Sequence, residues 1–370
     1  MRALILANHS GGLYDFRNGL LTSLIARGDE VTVSVPDDSK TELLEKEGCK
    51  VIHTDIDRRG VNPAHDLKLI SAYEKLIRDE KPDVVLTYTI KPNIYGGYAA
   101  SKAGVPYITT VTGLGSTFEK GGALLKIITG MYKKSLKNCS CLFFQNGENR
   151  GIFRNYGIVA GKDRLVSGSG IDLDAHRAEP YPGHDGDEIR FLYAGRLMKE
   201  KGTDEYMSAA KRLHEKYGDR VRCETVGFCD DDYTSKLEEG EKEGWLKSHP
   251  YTTDIIPFLR VADAIVMPSY HEGMSNVVME GSATARPELV SDISGCREIV
   301  EHGVTGLLYP PRNADALFEV MDEFVLMPLP ERKAMGLAAR VKMEREFDRS
   351  KVIKCYLEEI DNAAGSGSRT

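Results

Sequence analysis

Short apolar runs alternate with helical patterns along most of this chain, and this alternation limits the possible folds more than any other feature. Runs such as residues 2–7 and 83–87 are rich in aliphatic residues, and helical stretches such as residues 16–26 and 67–79 lie between them. Strands that are apolar throughout are typical of parallel sheets covered by helices on both faces. The sequence therefore predicts an α/β chain with doubly wound parallel sheets.

The pattern stops near residue 168 and starts again at residue 189, after a Pro-rich, acidic segment. A chain of 370 residues is also longer than one hydrophobic core usually supports. We therefore predict two Rossmann-like domains, at residues 1–168 and 169–346. The expected strands are residues 2–7, 30–35, 50–54, 83–87, 106–111, 139–144, 164–166, 189–194, 221–226, 262–267, 289–291 and 306–309, with a helix at residues 203–217.

The C-terminal end of the chain is expected to leave the second domain. Residues 347–363 are predicted to form a helix that returns to the N-terminal domain. Residues 364–370 are rich in glycine and serine and are predicted to form a disordered tail.

Composition and charge exclude several classes of protein. The net charge of -7 is unlike that of a nucleic-acid-binding domain, so no nucleic-acid partner is expected. The seven cysteines include no C-x-x-C pair or zinc-ligand spacing, which indicates reduced thiols and predicts no bound metal. The first apolar run is too short for a signal peptide, and no stretch is long enough to span a membrane. A cytoplasmic protein is expected.

The first unusual loop follows the predicted strand at residues 189–194. Arg196 and Lys201 lie there between two glycines, just before a helix. A helix N-terminus offers unpaired N–H groups, and two cations neutralise charge that gathers on a leaving group. The loop therefore suits a diphosphate, although the two cations are equally compatible with an ordinary solvated loop.

The second loop, residues 268–281, follows an apolar strand and carries two carboxylates. Glu272 lies on a Gly-containing turn, and Glu280 lies in a helix that is expected to begin near Ser275. Carboxylates accept hydrogen bonds from vicinal hydroxyls, so Glu272 suits a hexose and Glu280 a ribose, with the N–H groups after Gly273 facing phosphates. The alternative is that acidic residues simply favour helix N-termini.

The third loop is residues 8–14, after the first predicted strand. Its glycine pair, Gly11 and Gly12, permits close approach of the backbone to a ligand, although a plain turn explains it equally well. The pattern is not G-x-G-x-x-G, so a dinucleotide site is not indicated. His9 lies in the same loop.

Taken in order, these motifs resemble the retaining glycosyltransferases of the GT-B fold that are often grouped as family 4. The match extends over nearly the whole chain, and its most specific part is the E-x7-E spacing in PSYHEGMSNVVMEGSA. The segments YAGRLMKEKG, GSGIDLD and NHSGG resemble the donor-phosphate loop, the interdomain segment and the N-terminal glycine loop of that family. The resemblance implies two Rossmann-like domains that face each other across a cleft, with an N-terminal acceptor domain and a C-terminal donor domain.

The resemblance also implies roles for individual residues. Arg196 and Lys201 would hold the donor diphosphate, Glu272 the transferred sugar and Glu280 the ribose. The backbone of residues 273–276 would lie beside the sugar, and Gly12 near the phosphates. The donor-binding set is Gly12, Arg196, Lys201, Glu272, Gly273, Met274, Ser275, Asn276 and Glu280.

The expected function is metal-independent, retaining transfer from a nucleotide-diphosphate sugar, with a UDP-sugar favoured and no other cofactor. Two alternatives stay open, a nucleotide-sugar epimerase of the same fold and a non-catalytic nucleotide-sugar-binding protein. An epimerase would change the donor sugar without any acceptor.

On the acceptor side the sequence departs from the family pattern. Where many relatives carry a histidine after the fifth strand, this chain has Thr112 and Gly113, and His9 is the other residue expected on that side. The TGLGS form resembles a subgroup that acts on lipid-linked or capsular glycans. Relatives usually have glycine at the position of Ala285 and an apolar residue at that of Glu288.

A basic segment at residues 120–138 bears on whether the acceptor is reached at a membrane surface. It contains five lysines and no acidic residue. On a helix from residue 123, three of the lysines are expected on the side opposite the apolar residues Leu124, Ile128 and Met131. One reading is contact with the anionic inner face of the plasma membrane. The other is a core-packed helix with a solvated basic face. The three lysines are Lys126, Lys133 and Lys137.

Overall fold

The computed structural model describes residues 1–57, 62–114, 118, 121–183 and 187–367. The chain divides into two compact units, of which the first holds Met1–Gly170 and the residues from Arg349 onward, and the second holds Ile171–Asp348. The first unit therefore extends to Gly170 and not to residue 168. Gly168 and Gly170 both have positive φ, so the turn they form completes the first unit before the chain leaves it.

The first unit is built on a seven-stranded parallel sheet in the order β3-β2-β1-β4-β5-β6-β7. Its strands are β1 (Arg2–Leu6), β2 (Glu30–Val35), β3 (Lys50–His53), β4 (Val84–Tyr88), β5 (Tyr107–Val111), β6 (Cys141–Phe144) and β7 (Asp163–Leu165). The helices are α1 (Ser10–Ala26), α2 (Thr41–Lys46), α3 (Pro63–Glu80), α4 (Gly97–Ala103), α5 (Gly122–Ser135) and α6 (Gly147–Asn155), with a π-helical turn at Pro92–Gly96.

Strand β1 is apolar on both faces because both faces are buried. Ala3 and Ile5 lie in one buried cluster, and Leu4 and Leu6 lie in another. Successive side chains of a strand point to opposite faces, so helices must cover both sides of the sheet. The order of the strands reverses between β1 and β4, and the ends of these two strands are the place where open α/β sheets bind ligands.

The second unit repeats this arrangement with a six-stranded sheet in the order β10-β9-β8-β11-β12-β13, in which all pairs are parallel. The strands are β8 (Ile189–Ala194), β9 (Val221–Val226), β10 (Lys247–His249), β11 (Ala264–Met267), β12 (Glu288–Ser291) and β13 (Gly306–Tyr309). The helices are α7 (Thr203–Tyr217), α8 (Thr234–Glu243), α9 (Ile256–Val261), α10 (Asn276–Ala283), α11 (Ala314–Leu326) and α12 (Leu329–Lys342), with single turns at Lys199–Lys201, Gly218–Arg220 and Met343–Phe347.

The last helix, α13 (Arg349–Gly367), belongs to the first unit. Val352, Tyr356 and Ile360 are buried in the same cluster as the inner face of α1, and the hydroxyls of Tyr356 and Thr110 lie 2.9 Å apart. The predicted disordered tail at residues 364–370 is wrong for residues 364–367, which continue the helix. Ala363 still packs in the core, so the last turn follows a helix that is already fixed although glycine and serine disfavour helix. Residues 368–370 lie outside the described residues.

Two further differences from the sequence predictions have simple physical causes. Strand β10 was missed because it is a short, polar edge strand that pairs only with β9, and polar edge strands lack an apolar pattern. Helix α1 begins at Ser10, well before the expected start at residue 16, so the glycine pair lies in a helix and not in a loop.

Helix α5 is rotated relative to the prediction. Its buried residues are Leu125, Thr129, Tyr132 and Ser135, while Leu124 is exposed. Leu124 therefore does not pack in the core, whereas Ile128 and Met131 are partly buried against it, because the core contact runs along the neighbouring stripe of the helix. Lys126, Lys133, Lys134 and Lys137 are all exposed, and Lys120 lies outside the described residues.

No helix within the described part of the chain has both the length and the apolar character needed to cross a bilayer.

Candidate active site

The two loops with the strongest chemical signal follow neighbouring strands of the second sheet. The loop with Arg196 and Lys201 follows β8, and the loop with Glu272 follows β11, which pairs directly with β8. Strand order reverses between these two strands, so both loops lie at the carboxyl-end position where open α/β sheets bind ligands. The sheet topology therefore brings together two loops whose residues Lys201 and Glu272 are 71 positions apart in the sequence.

Gly202 allows the two loops to touch. It has φ +70, and a Cβ at this position would lie 2.0 Å from the carbonyl oxygen of Pro268. Any larger residue would push the loops apart, since that contact is with backbone. A hydrogen bond from Tyr270 N to Glu200 O, 2.9 Å long, joins the same two segments. The backbone itself therefore fixes the spacing between the cationic and acidic loops.

Lys201 and Glu272 meet across this junction. The distance from Lys201 Nζ to Glu272 Oε1 is 2.5 Å, and Ser269 Oγ donates to the same oxygen at 2.7 Å. The side chains of Lys201 and Glu272 are 22% and 13% exposed, so the pair is shielded from water but reachable. Both bonds converge on Oε1, and no hydrogen bond to Oε2 occurs among the described residues. Oε2 is therefore an acceptor with capacity for a ligand hydroxyl.

The backbone around Glu272 is held by a third loop, after β12. A Cβ on Gly295 would lie 2.8 Å from both Cβ and O of Glu272, and Ser275 N donates to Gly295 O at 2.9 Å. Gly295 is therefore required for this close packing. Residues from three strand ends position one carboxylate, which is the kind of rigid support that a preorganised polar group needs.

Arg196 does not contact Glu272 but pairs with Asp230, with 2.7 Å between Nη1 and Oδ2. The guanidinium is 43% exposed, so this pair contributes little to stability and leaves the cation accessible. Neither Asp230 nor Ser269 was among the site residues predicted from the sequence. Asp230 follows β9, the other neighbour of β8, and that adjacency is the signal that would have identified it.

Helix α10 and the residues just before it hold the rest of the predicted donor set. Met274 and Ser275 are buried, so their side chains pack inside the unit. Gly273, Asn276 and Glu280 are partly exposed, and Glu280 lies in the second turn of the helix. The first N–H groups of a helix have no acceptor within it, which leaves donors for a phosphate beside the carboxylates.

In the first unit, His9 caps α1. The N–H of Gly12 donates to His9 Nδ1 at 3.1 Å, and Nε2 lies 3.7 Å from Asp38 Oδ2. A backbone N–H can only donate, so Nδ1 must be the unprotonated nitrogen and the proton sits on Nε2. In this conformation the lone pair of Nδ1 accepts from the Gly12 N–H and Nε2 carries the proton, so His9 is not arranged as a general base.

The glycine that the His9 cap requires is Gly11. A Cβ there would lie 2.5 Å from His9 Cε1, whereas a Cβ on Gly12 would meet nothing within 4 Å. Gly12, which was predicted to lie near the donor phosphates, therefore has open space beside it in the first turn of α1.

Thr112 and Gly113 follow β5 and are partly exposed. With the Gln145 amide turned so that its nitrogen faces the Thr112 carbonyl, the orientation that satisfies both neighbours, it donates to Thr112 O at 3.2 Å and accepts from the buried Arg17 at 2.8 Å. Gly115 and Ser116, the last two residues of the TGLGS motif, lie outside the described residues. Among the residues that are described, no group of three or more His, Cys, Asp or Glu side chains has the arrangement of a metal site.

Two domain-family models match the sequence, one in each unit. Residues 176–342 match the family described as glycosyl transferases group 1, and residues 3–146 match glycosyl transferase 4-like. The chain is 28% identical to an N,N'-diacetylbacillosaminyl-diphospho-undecaprenol alpha-1,3-N-acetylgalactosaminyltransferase of Campylobacter jejuni, with 98% of each chain covered. It is 26% identical to a UDP-Gal:alpha-D-GlcNAc-diphosphoundecaprenol alpha-1,3-galactosyltransferase of Escherichia coli, covering 72% of this chain and 74% of that one.

Solved structures agree on the fold. Anabaena HepE in complex with UDP and glucose superposes with a TM-score of 0.79 at 18% identity, covering 98% of this chain and 100% of that one. The two parallel sheets, the two domain matches and these similar proteins lead to one assignment: the chain is a GT-B-fold glycosyltransferase with a glycosyl transferases group 1 domain at residues 176–342 and a glycosyl transferase 4-like domain at residues 3–146.

Proposed function

We propose that this enzyme transfers a sugar, with retention at the anomeric carbon and without a metal ion, from a UDP-sugar to a lipid-linked or polysaccharide-precursor glycan. The observation that carries the proposal is the Lys201–Glu272 pair, at 2.5 Å, at the switch point of the second sheet. A cation for the diphosphate and a carboxylate for the sugar are there fixed side by side, as the reacting bond between sugar and phosphate requires.

The roles follow from charge. During transfer the bond between the anomeric carbon and the β-phosphate oxygen breaks, and negative charge gathers on the leaving diphosphate. Lys201 carries three N–H donors, so it holds Glu272 and a phosphate oxygen at once, and Arg196 supplies a second cation. Glu272 Oε2 accepts from a hydroxyl of the transferred sugar, and Glu280 from the ribose. Two cations at the departing group supply the charge stabilisation that a metal provides elsewhere.

A thermal-shift screen with UDP-, GDP- and ADP-sugars tests donor binding. We expect one nucleotide class to raise the melting temperature, because ligand at a hundredfold excess over Kd stabilises a fold by about 2.7 kcal/mol. Lys201→Met is expected to lose most of that shift, while Lys242→Met, an exposed lysine on α8, keeps it. If none of the donors shifts the wild-type enzyme, nucleotide-sugar binding is contradicted.

Product analysis then distinguishes transfer from the alternatives. With donor alone, an epimerase converts the sugar, and a binding protein leaves the donor intact. We expect only slow hydrolysis without an acceptor and rapid consumption with a lipid-diphosphate glycan acceptor. The relatives named above act on diphospho-undecaprenol-linked substrates, and this supports the choice of acceptor.

We propose further that the enzyme works in the cytoplasm and that α5 contacts the inner face of the plasma membrane. Leu124 and Ile127 are 37% and 59% exposed on the same helix as exposed lysines. Apolar side chains beside lysines are typical of helices that lie in the membrane interface, where the apolar groups insert and the cations meet anionic headgroups.

Charge reversal tests the membrane contact. Lys133→Glu together with Lys137→Glu is expected to reduce binding to vesicles of anionic lipid at least fivefold, since each lysine contributes about 1 kcal/mol near such a surface. The matched control reverses Lys242 and Lys333, two exposed lysines of the second unit, and should bind as the wild type does. Equal sedimentation of both double variants would contradict the contact.

A further inference from the structure

The surface of the second unit carries a group of exposed apolar side chains along α12. Leu326, the last residue of α11, is 65% exposed, and Leu329, the first residue of α12, is 42% exposed. Further along α12, Leu337 and Val341 are 61% and 56% exposed. Single exposed apolar residues are common on protein surfaces, whereas a group of them marks a site of interaction. We call these four residues the α12 stripe.

The helical repeat places the stripe on one side of α12. Leu337 lies eight positions after Leu329 and four positions before Val341, and these intervals return a helix to nearly the same side. Met335 and Ala339 are buried. Each of them lies two positions from Leu337, which corresponds to about 200° around the helix axis. The stripe therefore points away from the core.

Close backbone packing holds α12 in place. A Cβ on Gly336 would lie 2.3 Å from the carbonyl oxygen of Ala285, in the turn before β12. The middle of α12 is thus near the amino end of β12, whereas the donor loops follow the carboxyl ends of β8 and β11. A partner on the α12 stripe therefore contacts a different part of the unit from the Lys201–Glu272 pair.

Charged residues of both signs border the stripe. On one flank Glu331 is exposed near the start of α12, and Arg345, whose side chain pairs with Glu346, is 65% exposed beyond its end. On the other flank Lys333 is exposed near the start and Glu344 near the end. Each flank therefore carries opposite charges at its two ends. This mixture differs from the basic polar face of a helix that lies on an anionic membrane.

We propose that the α12 stripe binds the α12 stripe of a second copy of this chain, with the two helices antiparallel and related by a two-fold axis near residue 338. This inference goes beyond the proposed function, because it assigns a surface outside the active site. A two-fold axis pairs one patch with itself, so the patch must complement itself. About such an axis, Val341 of one copy packs against the small, exposed Ala334 of the other, and Glu331 comes opposite Arg345. Antiparallel helices also bring the opposite ends of their dipoles together.

The size of the stripe sets the strength of the dimer. Helix α12 has 14 residues, so it is about 21 Å long. Stable dimers bury about 800 Å² on each partner, and one helix face with the end of α11 provides less than this. We therefore expect a reversible dimer with a dissociation constant of about 1–100 μM.

Sedimentation velocity with the full chain tests the dimer. Between about 1 μM and about 200 μM, we expect the weight-average mass of the wild type to rise from that of one chain towards that of two. Leu337→Asp together with Val341→Asp should raise the dissociation constant at least tenfold, because four carboxylates would then be buried in the contact. Leu67→Asp, at a residue of the first unit that is 67% exposed, is the matched control and should dimerise as the wild type does.

A charge exchange tests the orientation. Glu331→Arg alone should weaken the dimer, because it brings two cations together, and adding Arg345→Glu should restore it. A parallel pair would instead place position 331 beside Lys333 of the other copy, so the double exchange would not restore that arrangement. Failure of the double exchange to recover dimerisation therefore contradicts the antiparallel contact.

Other occupants of the stripe give different results. A wild-type mass of one chain over the whole concentration range overturns the proposal, and so does a dimer that persists in Leu337→Asp/Val341→Asp, because it must use another surface. If the wild type stays a single chain and this variant loses binding to phosphatidylglycerol vesicles, a lipid surface is the occupant and the proposal fails. These measurements involve no donor or acceptor, so they leave the test of sugar transfer separate.

Discussion

Replacing Glu272 with alanine is expected to lower the rate of sugar transfer by a few hundredfold or more. Three strand-end loops hold this carboxylate in place, and both of its hydrogen bonds from the protein fall on one oxygen. Loss of one preorganised polar group at a reacting centre typically lowers kcat by about 10²–10³-fold. Steady-state kinetics with donor and acceptor at varied concentration measures the effect.

Glu272→Gln separates charge from shape. The amide keeps one acceptor oxygen but no longer neutralises Lys201, so we expect an intermediate loss of kcat and a fold that melts normally. Glu301→Gln, an exposed carboxylate elsewhere in the same unit, serves as the control and should show wild-type kinetics. Turnover within a few-fold of wild type in Glu272→Ala would remove this residue from the catalytic site.

Replacing Glu288 is expected to stabilise the protein, by an amount that depends on pH. Glu288 begins strand β12, which lies between β11 and β13, and is fully buried, and neither carboxyl oxygen has a hydrogen-bond partner among the described residues. Burial raises the pKa of Glu288 well above its usual range, and Glu280 acts in the same direction, while the nearby Ser282 hydroxyl opposes the shift without reversing it. The carboxyl is therefore neutral in the folded enzyme.

The sign of the pH dependence follows from the raised pKa. Above about pH 4.3 the unfolded chain releases this proton while the folded protein keeps it, so stability falls as the pH rises towards the folded pKa. Glu288→Gln cannot titrate. Its melting temperature relative to that of wild type should therefore increase between pH 4 and pH 8, with about 1.4 kcal/mol gained for each unit by which folding raises the pKa of Glu288.

Two further variants complete this test. Glu288→Val replaces the carboxyl with the apolar kind of residue that the family resemblance leads one to expect, and should be more stable than wild type at neutral pH. Glu301→Gln changes an exposed carboxyl and should show no such pH trend. If Glu288→Gln were destabilised equally at pH 4 and pH 8, the carboxyl would instead have a partner that the amide cannot replace.

The neighbouring anomaly at Ala285 has a backbone explanation. Ala285 has φ +61, a conformation that glycine adopts without strain, so the glycine expected there from the family resemblance would suit this backbone. Arg286 follows with no exposed surface and donates to backbone carbonyls, including that of Leu259 at 2.7 Å. The positive φ turns the chain so that this buried cation can reach them.

The sequence by itself determined the two α/β halves and the bounds of strands such as β8 and β9. It also singled out Arg196, Lys201 and Glu272 as candidate site residues. These features depend on local apolar periodicity and on residue types that occur next to strand ends, and both can be read along the chain. The resemblance to a family added the roles expected of the donor residues.

Only the tertiary structure decided which groups meet. The pairing of β8 with β11 brings Lys201 to Glu272, and the pairing of β8 with β9 brings Asp230 to Arg196. The same holds for the buried face of α5, the His9 cap at the start of α1 and the burial of the Glu288 carboxyl. Each depends on contacts between residues far apart in sequence, and a local pattern carries no information about such partners.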